Sequence, residues 1–217
     1  PGGSVGGGED LYNSLRAIAE TKPVATVMGT VATSAAYMTA IATDRIFARE
    51  GTITGSIGVI LQTANVSELL GRIGIEPITI KSTALKGVPS PVEPLTPEGR
   101  AATEQVVLDL YDFFVDLVIE RRPIDAGAVR LLADGRVFSG RQAVQNNLID
   151  AIGDEAAAIG WMVRERDLPD GLPVETVRTN ADKDSFLEKI TGLAGKSLFS
   201  NALTLDGLVS LWQPSAR

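Results

Sequence analysis

Apolar positions in this chain switch repeatedly between helical and strand-like patterns. Leu11, Leu15, Ile18 and Ala19 form a stripe at helical spacing that stops at Lys22-Pro23, because the residue before a proline disfavours helix. Pro1 to Gly8 is glycine-rich and reads as a loop, so Glu9 and Asp10 are expected in the helix's first turn, where the dipole favours negative charge. An apolar run from Val24 to Met28 then reads as a buried strand ending at Gly29. A turn of small residues follows, and Ala35 to Ala42 reads as an apolar helix with Ser34 at its start. Asp44 to Ala48 is a further strand candidate. In Thr52 to Ile60, β-branched residues are broken by Gly55 and Gly58, a pattern that marks bulges or close backbone approach.

The second half continues the alternation. Val66 to Ile73 reads as a helix stopped by Gly74, and Pro77 to Ile80 as a strand leading to Lys81. A proline-ordered loop follows. Thr96-Pro97-Glu98 starts a long helix, with Thr96 as N-cap and Pro97 in the first helical position, running to Arg122-Pro123. Ala126 to Leu132 and Gly140 to Asn147 read as short helices around a strand candidate at Arg136 to Phe138. Leu148 to Asp150 closes that unit, and a helix is expected from Glu155 to Arg166. Strands alternating with helices define an α/β fold with a largely parallel sheet. The expected organisation is one domain over residues 1–166 and an extension over 167–217, with a strand-like Val174 to Val177 and an apolar, helix-prone tail from Phe186 to Trp212. That tail suits packing on the domain or on a neighbouring subunit. A membrane-surface role normally asks for more lysine and arginine. The end, Leu208 to Arg217, could instead lie in a cleft as a product.

Composition narrows the chemistry. The 217 residues include neither histidine nor cysteine. A Ser-His-Asp triad, a Cys-His pair, a disulfide framework and a histidine-ligated zinc are therefore excluded within this chain. The net charge of −7, without a block of basic residues, argues against a nucleic-acid surface. No run approaches the roughly 18 apolar residues of a membrane span. The abrupt start at Pro1-Gly2-Gly3, without an initiator methionine, reads as the start of a fragment. The glycines at the start match neither GxxxxGK[ST] nor a clean GxGxxG, so no nucleotide site is expected.

Ser34 has two readings. A serine at a strand-to-helix junction commonly caps the helix, yet its hydroxyl also lies beside free N–H groups that attract negative charge. If Ser34 is a nucleophile, its base must be a lysine or come from another chain. Lys81 and Lys86 follow the strand candidate at Pro77 to Ile80, and Leu85, Val88 and the nearby prolines would desolvate Lys86 better. A lysine base must be neutral, which requires burial to lower its ordinary pKa of about 10.4.

Five segments together resemble the signal peptide peptidase A family of serine–lysine peptidases. They are Pro1-Gly2-Gly3, Gly29 to Tyr37, Thr54 to Val59, Lys81 to Pro91 and Asp134 to Ala143, in order, within about residues 1 to 160. The resemblance implies a ClpP/crotonase-like fold of repeated β-β-α units with flanking helices. It implies Ser34 as nucleophile, Lys86 as general base, Ser56 as the residue orienting that lysine, and the N–H groups of Gly3 and Ala35 as the oxyanion hole. Small residues at Gly2 and Ala36 would let a substrate backbone approach. Thr33 stands where alanine is usual, and Gly87 where aspartate is common. The implied substrates are remnant signal peptides or other apolar, membrane-associated peptides, with no metal and no cofactor. The implied partners are further copies of the chain in a homo-oligomer, with residues from neighbouring subunits completing the site. The implied location is the bacterial inner membrane, with the peptidase domain extracytoplasmic and anchored through an N-terminal region outside this sequence. The competing readings are a crotonase-like acyl-CoA enzyme and a catalytically silent scaffold of the same fold.

Overall fold

A computed structural model describes residues 2–177. They fall into two compact units, one reaching to Ile159 and one beginning at Gly160. The expected tail from Phe186 to Trp212 lies outside the described residues.

The first unit opens with helix α1 (Val5–Ala19), four residues earlier than the glycine content suggests. Ser4 caps it, its hydroxyl accepting the Gly7 N–H at 3.1 Å, so Gly6, Gly7 and Gly8 are helical and the first turn holds no acid. Gly8 is there for contact rather than flexibility. A Cβ on it would lie 3.0 Å from the Met38 sulfur and 3.2 Å from the Ala35 Cβ.

Strand β1 (Ala25–Met28) and strand β2 (Val31–Thr33) follow, then helix α2 (Ala35–Ala40), strand β3 (Arg45–Ala48) and strand β4 (Ile53–Gly55). Two sets of three strands form. In one, β1 and strand β6 (Ala151–Ile152) flank β3, all parallel. In the other, β4 pairs parallel with β2 and antiparallel with strand β5 (Val137–Ser139). The β-β-α order and the largely parallel pairing are those expected. β1 is less buried than its apolar run implies. It lies at the edge of its set, where only Met28 is buried.

Helix α3 (Ser67–Arg72) ends at Gly74, whose φ of 77° is the left-handed stop expected there. The strand expected at Pro77 to Ile80 does not form. Those residues pair with no described strand, and Ile78 and Ile80 are 85% and 96% exposed. Val174 to Val177 likewise forms no strand. β-Branched content makes a segment suitable for a sheet, but a strand needs a partner edge, and neither segment has one among the described residues.

Helix α4 (Pro97–Arg121) starts as expected, Thr96 accepting the Gly99 N–H at 3.1 Å. Only its later turns reach the core, through Phe114, Val115 and Val118. Helix α5 (Ala126–Leu132), helix α6 (Gly140–Gln145) and helix α7 (Glu155–Glu165) complete the elements. The core gathers Tyr37, Met38 and Ile41 of α2 with Phe114 and Val118 of α4, Val129 of α5, and Leu148 and Ile149 before β6. The nucleophile candidate's helix is thus the centre of packing. Within the second unit, the Trp161 indole donates to Glu165 at 3.0 Å and Arg166 sits 5.2 Å from the Trp161 ring centre.

Candidate active site

Ser34 joins β2 to α2 with φ 56° and ψ −124°. A side chain in this left-handed region is strained by about 1–3 kcal/mol and persists only where surroundings hold it. The holding is visible. The Ser34 N–H donates to the Gly55 carbonyl at 2.9 Å, and its own carbonyl accepts the Met38 N–H at 2.9 Å. The hydroxyl makes no capping bond. By contrast, Ser4, Thr96, Asp125 and Ser139 all cap their helices through their side chains. Of the two readings of Ser34, the cap is therefore not the one the geometry uses.

Ser34 lines a cavity of about 120 Å³ together with Gly3, Thr33, Ala35 and Ser56. Val5, Met38, Val59, Ile60 and Phe114 supply apolar walls, and Gly58 and Gly135 the close backbone. None of these residues is ionisable. Gly3 sits against the start of α2, since a Cβ built on it would be 3.6 Å from that of Ala35. The N–H groups of Gly3 and Ala35 have no hydrogen-bond partner among the described residues. Ala35 is the first residue of its helix, where such a free donor is expected.

Ser56 reaches the cavity because the backbone turns sharply at the end of β4. Gly55 has φ 79° and Ser56 φ 52°. A side chain at Gly55 would also collide with the Phe138 ring at 2.6 Å. The Ser56 N–H donates to the Arg136 carbonyl at 2.8 Å, and the Gly135 N–H to the Ile57 carbonyl at 3.2 Å. These bonds stitch the Thr54 to Val59 segment to the Asp134 to Ala143 segment. The carbonyl of Gly55 in turn holds Ser34.

Not every expected site residue joins this cluster. Gly2 and Ala36 are half-buried and do not line the cavity. Lys86 does not line it either, and stands exposed on a turn over residues 82–87. The greater desolvation expected for Lys86 is thus reversed. Leu85 is itself 49% exposed, while the Lys81 side chain is only 19% exposed and pairs with Glu93. Hydrogen bonds from Lys81 first, then Thr79, hold the Glu93 carboxyl below its ordinary range. Desolvation of Lys86 would require something packed over the turn, and no described element does so.

Sequence reading missed Val5, Met38 and Phe114 as cavity walls. Met38 was visible only as part of an apolar helix and Phe114 only as part of a helix stripe. The glycine content places Val5 in a loop. Gly58 interrupts a strand pattern, a sign of close backbone approach that the structure bears out, with Gly135 3.4 Å from a Cβ built on it.

The structure therefore defines an α/β domain that holds a serine, uncapped and strained, at a strand-to-helix turn over an apolar cavity with two free backbone donors. The chain belongs to peptidase family S49, whose pattern spans residues 16–169. An Enterococcus faecium protein named for signal peptide peptidase SppA is 37% identical over 176 residues, 81% of this chain and 51% of that one. The chloroplastic serine protease SPPA of Arabidopsis thaliana is 31% identical over 96% of this chain and 31% of its own length. Protease 4 of Haemophilus influenzae is 31% identical over 73% of this chain and 26% of its own. The chain spans about half the length of the Enterococcus relative, and less of the other two. Among solved structures, an enoyl-CoA hydratase/isomerase family member aligns with a TM-score of 0.37 at 13% identity, over 84% of this chain and 49% of that one. That likeness is too distant to bear on activity.

Proposed function

We propose that this chain is a serine peptidase that uses Ser34 and Lys86 to cleave remnant signal peptides or other apolar, membrane-associated peptides. The observation that carries the reading is Ser34 itself: strained, uncapped, and set over a cavity beside the free N–H groups of Gly3 and Ala35. Membership of family S49 supports the peptidase class. The uncharged cavity supports an apolar side chain next to the scissile bond.

In this mechanism neutral Lys86 takes the Ser34 proton as Oγ attacks the peptide carbonyl. The Gly3 and Ala35 N–H groups bind the oxyanion, a contribution of about 3–4 kcal/mol per donor in other serine hydrolases. The resulting ammonium gives its proton to the leaving amine, and water then hydrolyses the acyl-enzyme. Ser56, at the cavity wall, orients the lysine.

Lys86 is exposed and outside the cavity, so the reading extends to a homo-oligomer in which Lys86 of one copy serves Ser34 of another. The exposed apolar residues Leu69, Ile73, Ile75, Ile78 and Ile80 precede the lysine turn and suit such a contact. Membrane proximity belongs to the same proposal. Among the described residues, no helix is long and apolar enough to cross a membrane.

The test is hydrolysis of a labelled apolar peptide by Ser34→Ala and Lys86→Ala, alone and mixed. Both variants are expected to be inactive alone, and the mixture to recover activity. Cleavage by either variant alone at the wild-type rate overturns the dyad. An inactive mixture of folded variants confines Lys86 to its own chain. The position of Lys86 also favours a second reading, the silent scaffold, which an absence of cleavage by the wild-type protein would support.

A further inference from the structure

The strain at Ser34 has to be held by something outside α2, because a helix of six residues is not stable alone. Three residues after Ser34, Tyr37 is fully buried and its hydroxyl donates to the Leu148 carbonyl at 2.8 Å. That carbonyl belongs to a rigid turn. The Leu148 N–H donates to the Ala143 carbonyl at 2.8 Å, and the Asn147 carbonyl accepts from Arg122 Nε at 2.8 Å. Arg122 continues to Asp150, with Nη2 to Oδ1 at 2.9 Å, and Asp150 Oδ2 accepts the Ile46 N–H of β3 at 2.7 Å.

The other end of α2 is also tied. Arg121 donates from Nε to the Ile41 carbonyl at 3.0 Å and from Nη2 to the Thr43 carbonyl at 3.4 Å. Arg16 Nη1 reaches the Ala42 carbonyl at 3.0 Å. Arginines on these carbonyls satisfy the acceptors that a helix end leaves free.

Packing alone would not require the Tyr37 hydroxyl, since phenylalanine fills nearly the same space. What the hydroxyl adds is a directional bond that fixes how far α2 sits along its axis. Ser34 Oγ and the Ala35 N–H ride on that helix, whereas Gly3 and Ser56 are held by other segments. We propose that Tyr37 is a positioning residue for the reaction: its bond to Leu148 sets Ser34 and Ala35 in register with Gly3 and Ser56. This rests on Ser34 being the nucleophile of the proposed peptidase.

The experiment compares Tyr37→Phe with wild type and with Val129→Ala, a core change on α5 at a residue that does not line the cavity, at a temperature where all are folded by circular dichroism. Tyr37→Phe is expected to lower kcat about 10-fold to 100-fold with KM within twofold, the scale of a small misplacement of reacting groups. The rate at which a fluorophosphonate labels Ser34 should fall by the same factor. Val129→Ala should lower the melting temperature and leave both rates unchanged. Arg121→Gln loosens the same helix from its other end and is expected to lower kcat severalfold, so it carries the test if Tyr37→Phe does not fold. A folded Tyr37→Phe with kcat within twofold of wild type overturns the proposal. So does a loss of rate that merely follows melting temperature across all variants. Hydrolysis that survives Ser34→Ala removes the underlying reading of Ser34 as the nucleophile instead, whatever Tyr37→Phe shows.

Discussion

Replacing Ser34 by glycine should make the protein more stable than the wild type, the reverse of what a helix-capping serine predicts, where glycine and alanine both cost stability. At φ 56° and ψ −124° a Cβ is unwelcome, and the strain of any non-glycine residue is about 1–3 kcal/mol. Alanine keeps that strain. It also loses no capping bond, since the serine hydroxyl makes none, so Ser34→Ala should lie within about 0.5 kcal/mol of wild type. Glycine removes the strain but orders a freer unfolded backbone, which costs about 0.5–1 kcal/mol. The net advantage of glycine over alanine is about 1 kcal/mol, within the roughly 0–2.5 kcal/mol that these ranges span. For a domain of this size about 1 kcal/mol is roughly 2–4 °C in melting temperature.

Ser139 is the internal control. It starts α6 at φ −70° and accepts the Gln142 N–H within a capping box. There, alanine should cost about 1 kcal/mol and glycine should give no gain over wild type. Urea unfolding of the four variants, followed by circular dichroism, measures all of this. A Ser34→Ala protein destabilised by a full kilocalorie, or a Ser34→Gly protein no more stable than wild type, would refute the strained, uncapped serine.

Other outcomes follow from the same structure. Gly140→Ala should destabilise by about 1–3 kcal/mol or more in urea unfolding, because its Cβ would lie 2.0 Å from the Arg49 carbonyl oxygen, a backbone atom that cannot step aside. Arg122→Met should cost about 3–5 kcal/mol in the same assay, since it strands Asp150 next to a buried network. At alkaline pH the protein should weaken through Tyr37. Burial raises its phenol above the ordinary value of 10.0, with Arg122 opposing and Asp150 adding to the shift. The unfolded tyrosine then ionises first, so stability is full below about pH 10 and falls above it by about 1.4 kcal/mol per pH unit. Tyr37→Phe should remove one proton's worth of that slope and leave the part due to Tyr12, which burial also raises. Equal slopes in the two proteins would contradict this.

What could be read from the sequence was mostly local. Gly29 to Tyr37 showed where α2 begins, because a serine and an apolar run follow each other directly in the chain. The small residues that read as a turn include strand β2, however, whose partner β4 lies about twenty residues on. Thr96-Pro97 and Gly74 placed a helix start and a helix stop because caps act over a few residues. Gly8 misled, since its composition suggests a loop while its reason for being glycine is the Met38 sulfur across a helix interface. Pro77 to Ile80 misled in the opposite way. Its composition suits a strand, but a strand depends on a partner edge that lies nowhere in its own residues. The strained backbone at Ser34 was invisible for a related reason. Its N–H is held by the Gly55 carbonyl, and the next residue, Ser56, is held by the Arg136 carbonyl, and these are far apart in sequence.

The cavity and the lysine differ in how a single chain provides for them. Ser34, the free N–H groups of Gly3 and Ala35 and the apolar walls come from the start of the chain and α1, from β2, α2, the end of β4 and α4, and bonds within the chain tie these segments together. The lining contains no ionisable group, and a serine hydroxyl without a base is a weak nucleophile. Lys86 stands on an exposed turn, open to water, whereas a lysine works as a general base only in a desolvated setting. Both deficits have one remedy under the proposed dyad. A surface that covers the turn over residues 82–87 would bring Lys86 to a serine and strip its water in the same event, and burial is what lowers a lysine pKa toward the working range. If that surface is another copy, catalysis and assembly become one equilibrium. Specific activity should then fall on dilution and recover on concentration, with the midpoint matching dissociation measured by sedimentation. A specific activity independent of concentration, across a range in which the copies demonstrably separate, would place the lysine and the serine of each active site in the same chain.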